Sequence, residues 1–291
     1  MKKNQSYIGM LAAVGVALSL STNSISALAQ SIPVHAQGLK EELITVDLSG
    51  TKKQAGIFST KIGSDKPIKL AVLLPGYPSV VRPVMENGVM TASKLTGNFL
   101  IRARRFLADD SVATLIVDCQ SESGDYCSSG YQASKERQED VDKLIAEVKK
   151  RTPSIGDVWL VGTSMGTISS SFMPLHNPTA YSGAIHTAAI TEPYARNSYK
   201  ELGGFDYKKP SPIHFFIHHV NDPCSLTPYA SAKAIAEKFN VPLVTISGGG
   251  GFQGGVCEAL TQHGFRGKEK EVMTEIAAII KTGKASQLEI N

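Results

Sequence analysis

Directly after the apolar run Val158-Trp159-Leu160-Val161 stands Gly162-Thr163-Ser164-Met165-Gly166, and the residues beyond it can form a helix. A GxSxG pentapeptide between a strand and a helix is a nucleophile elbow. The sharp turn strains the serine backbone, and the flanking glycines let neighbouring chain pack closely. A serine hydroxyl is a poor nucleophile at neutral pH, so it needs a base within hydrogen-bond reach and a third group to orient that base. After such an elbow the chain order is serine, acid, histidine. Of the seven histidines, His263 alone lies beyond a suitable late acid, and it is the expected base. Asp222, in the loop that follows the apolar segment 213–218, is the expected acid, with Asp206 as runner-up. An oxyanion requires two backbone donors. Met165 supplies one, and in Pro75-Gly76-Tyr77-Pro78 the second falls to Tyr77, because Pro78 has no N–H.

These residues need a scaffold that brings distant loops together. Residues 42–48 and 54–62 read as an opening antiparallel pair. Thereafter strands are expected at 69–74, 113–117, 158–161, 183–188, 213–218 and 242–246. Helices are expected at 98–109, 136–151, 165–175, 228–239 and 268–281. Val141, Leu144, Ile145 and Val148 recur at helical spacing, and Thr227-Pro228 reads as an N-cap hydroxyl followed by proline in the first turn. Alternating strands and helices with continuous apolar strands imply an α/β fold, a mostly parallel central sheet with helices on both faces. In that architecture ligands bind beyond the carboxyl ends of the strands. Segment 191–211 has room for a short lid rather than a cap domain.

Among 291 residues, 42% are hydrophobic and 19% charged, which suits one folded domain and excludes a disordered or multi-span membrane chain. The net charge of +4 is too small to suggest a nucleic-acid partner. Lys2 and Lys3, the apolar stretch 8–20 and Ala27-Leu28-Ala29 read as a signal peptide over residues 1–29, leaving 30–291 as the exported, periplasmic or secreted, domain with no stable membrane anchor. In an oxidising compartment the four cysteines favour disulfides. Of three possible pairings, Cys119–Cys127 closes a short polar loop. Cys224–Cys257 joins the segments carrying Asp222 and His263. No metal site or cofactor motif is read. Gly248–Gly251 lacks the following helix and lysine of a phosphate cradle and reads as a flexible loop carrying His263. His186, His218 and His219 read as satisfied core or rim histidines, and Arg102, Arg104 and Arg105, like 149–151, as solvated helix faces.

On the Pro75-Gly76-Tyr77 loop, the elbow, Asp222 and His263-Gly264, the sequence resembles the α/β-hydrolase superfamily. More narrowly it is similar to a group of exported bacterial α/β-hydrolases, through Asn98-Phe99-Leu100-Ile101-Arg102-Ala103-Arg104, His218-His219 with Asp222-Pro223-Cys224, and Cys257 ahead of His263-Gly264-Phe265. The resemblance implies acyl transfer to water without a cofactor, on a small-molecule acyl substrate. It departs from many lipases in lacking their HGGG oxyanion motif. A serine carboxylesterase is the leading expectation. A peptidase or amidase using the same three residues, and a binding protein that has lost catalysis, are the alternatives; fold alone does not choose a substrate.

Overall fold

The computed structural model describes residues 32–64, 66–194, 199–210 and 212–291. The expected signal peptide lies outside these residues. The described chain forms one compact unit, Ile32–Asn291.

Two long strands, β1 (Leu39–Asp47) and β2 (Lys53–Lys61), pair antiparallel as the sequence predicts. The strands β3 (Lys69–Leu74), β6 (Val112–Val117), β7 (Asp157–Thr163), β8 (Gly183–Thr187), β9 (Ile213–His219) and β10 (Leu243–Ile246) follow. A small antiparallel hairpin of β4 (Val84–Glu86) and β5 (Val89–Ala92) stands apart. A short β11 (Glu289–Ile290) completes the edge. The main sheet runs β1-β2-β6-β3-β7-β8-β9-β10-β11 and is parallel from β6 onward. With helices on both faces, this is the α/β-hydrolase fold.

The helices are α1 (Phe99–Ala103), α2 (Ser129–Gln132), α3 (Lys135–Arg151), α4 (Gly166–His176), α5 (Tyr229–Phe239) and α6 (Glu269–Thr282). One face of the sheet buries Phe99, Leu100 and Ile101 of α1 with Val272, Ile276, Ile279 and Ile280 of α6. The other buries Val141, Leu144, Ile145 and Val148 of α3, at the expected helical spacing. Ser134 starts α3 by accepting the Arg137 N–H. On this second face α5 packs Ala236 against Phe216 of β9.

Two sequence expectations fail for physical reasons. The helix expected over 98–109 is α only to Ala103, then tightens into a 3-10 turn over Arg104–Phe106. That turn serves a buried ion pair, so Arg104 is not on a solvated face. Its Nε and one terminal nitrogen donate to the two Glu41 oxygens at 2.7 and 2.8 Å, and its other nitrogen donates to the Ile101 carbonyl at 2.7 Å. Ser59 Oγ and the Met90 N–H complete the carboxylate shell at 2.6 and 2.8 Å. The pair thereby ties β1, β2, the hairpin and the end of α1 to one point. Arg102 is likewise mostly covered, for reasons given below.

Burial alone would push the Glu41 carboxyl up, but the hydrogen bonds and charge of Arg104, with Ser59 and Met90, outweigh it and hold the pKa below its ordinary value. A depressed folded-state pKa means that this stabilisation is complete above the unfolded value and is lost as pH falls through the folded one. Arg104→Met should therefore cost about 3–5 kcal/mol at neutral pH, because it leaves a buried carboxylate uncompensated. Urea midpoints measured from neutral to acidic pH should show the gap to wild type closing as Glu41 protonates.

Candidate active site

The sheet order places the carboxyl ends of β3, β7, β8, β9 and β10 along one edge of the molecule. The expected residues all follow these ends: Tyr77 after β3, Ser164 after β7, Asp222 after β9 and His263 in the loop after β10.

Ser164 has φ +50°, the strained left-handed conformation that the elbow demands. It is locked there by its own N–H donating to the Thr187 carbonyl at 3.0 Å and by its carbonyl accepting from the Thr167 N–H at 2.9 Å. The glycines are required by close approach. A Cβ on Gly166 would lie 2.0 Å from the Leu74 carbonyl oxygen, and one on Gly162 would lie 2.4 Å from Ser170 Oγ. The elbow is thus wedged against the end of β3. The same wedge sets the loop after β3 beside the serine, since a Cβ on Gly76 would stand 3.0 Å from Ser164 Cβ. Neither the Tyr77 nor the Met165 N–H has an acceptor among the described residues.

His263 Nδ1 lies 3.0 Å from Asp222 Oδ2 and 3.3 Å from Oδ1. Both side chains are buried. Because Asp222 accepts at Nδ1, the imidazole carries its proton there and leaves Nε2 as the basic nitrogen. Asp222 also accepts from the Cys224 N–H at 2.9 Å and from Thr227 Oγ1 at 2.8 Å. Burial pushes the Asp222 carboxyl up, but the hydrogen bond and charge of His263, with the Cys224 N–H, prevail and hold it below the ordinary range. It is a fixed anion. Asp206, the runner-up acid, instead accepts from the Lys208 N–H.

Thr227 corrects another expectation. It is not the helix cap; Pro228 occupies that position, and the Thr227 hydroxyl is spent on Asp222, with its oxygen 3.1 Å from His263 Nδ1. Arg102 is the second residue whose role the sequence hides. From α1 it donates to the Gly264 carbonyl at 2.5 Å, to the Gly97 carbonyl at 2.6 Å and to Glu269 at 3.1 Å. It thereby clamps the turn that presents His263, while the Phe265 ring packs tilted against Phe99 with centroids 4.9 Å apart. The loop after β10 is pinned rather than free: His219 Nε2 meets the Gly248 carbonyl at 3.0 Å, and the Gly250 N–H donates to the Arg266 carbonyl at 3.2 Å.

Both expected cysteine pairs are at bonding distance, with S–S 2.13 Å for Cys119–Cys127 and 2.03 Å for Cys224–Cys257. The second joins the Asp222 loop to the segment leading to His263. Ser164, His263, Gly76, Tyr77, Asn98, Phe99, Cys257, Glu258, Ala259 and Gly264 line a cavity of about 180 Å³. Glu258 is an acidic wall that no sequence motif announces. A larger hollow of about 770 Å³ along α5 holds none of the expected site residues.

Of the other histidines, His186 is satisfied by Ser170 Oγ and His214 Nδ1, each at 2.8 Å. His219 is satisfied by the Asn221 N–H and the Gly248 carbonyl. His218 is satisfied on one side only. Its Nε2 accepts the Ala189 N–H at 2.6 Å, while its Nδ1 is buried without a partner among the described residues. Burial pushes the His214 and His218 imidazoles down to about 4, so both are neutral at pH 7.

No protein-family model and no curated protein sequence matches the chain. Solved structures do. The Pyrococcus furiosus esterase Pf2001 superposes with a TM-score of 0.55 at 14% identity, covering 84% of this chain and 92% of that one. Est1E from Butyrivibrio proteoclasticus gives 0.54 at 14% identity, covering 82% and 97%. A cold-adapted esterase from an Arctic intertidal metagenomic library gives 0.50 at 11% identity, covering 73% and 86%. At these identities the likeness establishes the shared α/β-hydrolase fold.

Gly166→Ala should destabilise the protein by about 2 kcal/mol or more, since the added methyl overlaps the Leu74 carbonyl and neither backbone can retreat without moving β3 or β7. A thermal midpoint unchanged from wild type would show that the wedge is not tight.

Proposed function

We propose that the protein is a serine hydrolase acting on carboxylic esters. The observation that carries this reading is the buried Asp222–His263 pair, oriented through Nδ1, whose His263 lines the same cavity as Ser164. In this mechanism Ser164 Oγ attacks the ester carbonyl carbon while His263 Nε2 takes its proton. The tetrahedral oxyanion is held by the Tyr77 and Met165 N–H groups, which lie on the two loops that the elbow wedge brings together. His263 then returns the proton to the leaving alcohol as the C–O bond breaks, giving an acyl-enzyme. Water, deprotonated by the same nitrogen, releases the acid and restores Ser164. Asp222 holds the productive tautomer and stabilises the imidazolium without itself taking the proton. The fold shared with solved structures titled as esterases supports the choice of substrate class. Export is part of the proposal, and it is supported by the two disulfides, which belong to oxidising compartments. Among the described residues no helix is long and apolar enough to cross a membrane.

A fluorophosphonate should label the wild-type enzyme covalently, and Ser164→Ala should abolish both labelling and turnover of short-chain esters. Unchanged turnover in that variant would refute the proposal. Asp222→Asn should lower kcat by about 10³- to 10⁴-fold with KM little changed, because the amide favours the wrong imidazole tautomer. Thr227→Val should cost about tenfold in kcat, roughly one charge-assisted hydrogen bond, and Thr227→Ser should restore it. Steady-state kinetics on one ester separates these effects.

A further inference from the structure

The cavity beside Ser164 and His263 is small, yet Tyr77 of its lining is one of four tyrosines, with Tyr126, Tyr194 and Tyr199 outside it. Tyr77 is 65% exposed, Tyr126 39% and Tyr194 56%. The Tyr77 and Tyr126 rings lie 5.8 Å apart at 48°, and those of Tyr194 and Tyr199 lie 6.0 Å apart at 50°. The Tyr199 phenol lies within electrostatic range of those of Tyr126, Tyr77 and Tyr194, which sets the two pairs in one neighbourhood. Water-exposed aromatic groups gathered at one spot usually mark a binding surface.

The loops that carry Tyr77 and Tyr126 are held in place. The Cys127 N–H donates to the Pro78 carbonyl at 3.0 Å, and the Cys119–Cys127 bond closes the loop that carries Tyr126. Asp118 accepts the Val81 and Arg82 N–H groups at 2.7 and 3.0 Å, fixing the far end of the Tyr77 loop. Gln132 Nε2 donates to the Cys127 carbonyl and to Ser79 Oγ, both at 3.2 Å, tying the two loops together. Rings that are rigid before a ligand arrives lose little entropy when it binds.

Stereochemistry decides which part of an ester meets these rings. The leaving alcohol must lie toward His263, which protonates it, and therefore in the cavity walled by His263, Gly264 and 257–259. Tyr126, Tyr194 and Tyr199 do not line that cavity, and Tyr126 reaches its edge through the Tyr77 ring. With the alcohol placed beside His263, the acyl group is the part of the ester left to meet them. Tilted rings some 5–6 Å apart offer faces and edges to a third ring, the arrangement that aromatic clusters prefer.

On the hydrolase reading above, we infer that the substrate is an ester of an aromatic carboxylic acid, whose ring packs against Tyr77, Tyr126, Tyr199 and Tyr194. Methyl cinnamate and methyl 3-cyclohexylacrylate share length and ester group and differ in the aromatic ring. Wild-type kcat/KM should favour the cinnamate by about tenfold, the size of one or two aromatic pairs. The double variant Tyr126→Leu/Tyr199→Leu should bring that ratio close to one while turning over ethyl acetate at the wild-type rate, and Tyr126→Phe should keep the preference. A wild-type ratio near one, or an unchanged ratio in the double leucine variant, overturns the inference even though ethyl acetate is hydrolysed. Loss of ethyl acetate turnover and of fluorophosphonate labelling in the wild type would instead count against the hydrolase reading. In that case calorimetric binding of cinnamate against 3-cyclohexylacrylate decides the inference: a preference lost in the double variant supports it, and equal binding rejects it.

Discussion

The constraint on which the site depends is the contact between the turn at Ser164 and the end of β3, where Gly166 passes so close to the Leu74 carbonyl that no side chain fits between them. It exists because the sheet order sets β3 directly beside β7, with their registers matched up to Leu74 and Gly162. From that contact follows the position of the loop after β3. Gly76 comes against Ser164, and Tyr77 is carried to the wall of the cavity. The strain at Ser164, which would cost about 1–3 kcal/mol in an unsupported loop, is held by hydrogen bonds to Thr187 and Thr167.

Two of the buried charged pairs serve different ends. Glu41 and Arg104 form a closed pair with every oxygen occupied, which fixes the first strands and α1 and has no access to the cavity. Asp222 and His263 form an open pair. The carboxylate is saturated by Cys224, Thr227 and His263, while the imidazole keeps one nitrogen free of the pair. Saturating the acid keeps it ionised despite burial, and an ionised acid fixes the imidazole tautomer. The Cys224–Cys257 bond and the Arg102 clamp on Gly264 hold the two loops that bear this pair, so its geometry does not rest on the pair alone.

Local sequence signals carried far because they report local physics. The elbow was legible from five residues, since only glycine survives the close contacts on either side of the serine. Helix α3 was legible from its apolar spacing and the sheet from its runs of branched residues. The cysteine pairs were legible from loop length and from their nearness to Asp222 and His263. Thr227, Arg102 and Arg104 misled because their types suit several roles. A threonine before proline looks like a cap, and arginines on a short helix look solvated, until a carboxylate or carbonyl from a distant segment arrives to take their donors.

By itself, then, the chain specified which residue is strained, which strands are buried on both faces and which side chains have the right chemistry, because all of these depend on neighbours a few positions away. The tertiary structure alone decided that Thr227 joins the Asp222–His263 pair, which guanidinium holds the His263 turn, and that Tyr77 meets Tyr126 and Tyr194 meets Tyr199. Hydrogen bonds and ring contacts act over only a few ångströms, and chain order does not encode which distant segments approach that closely.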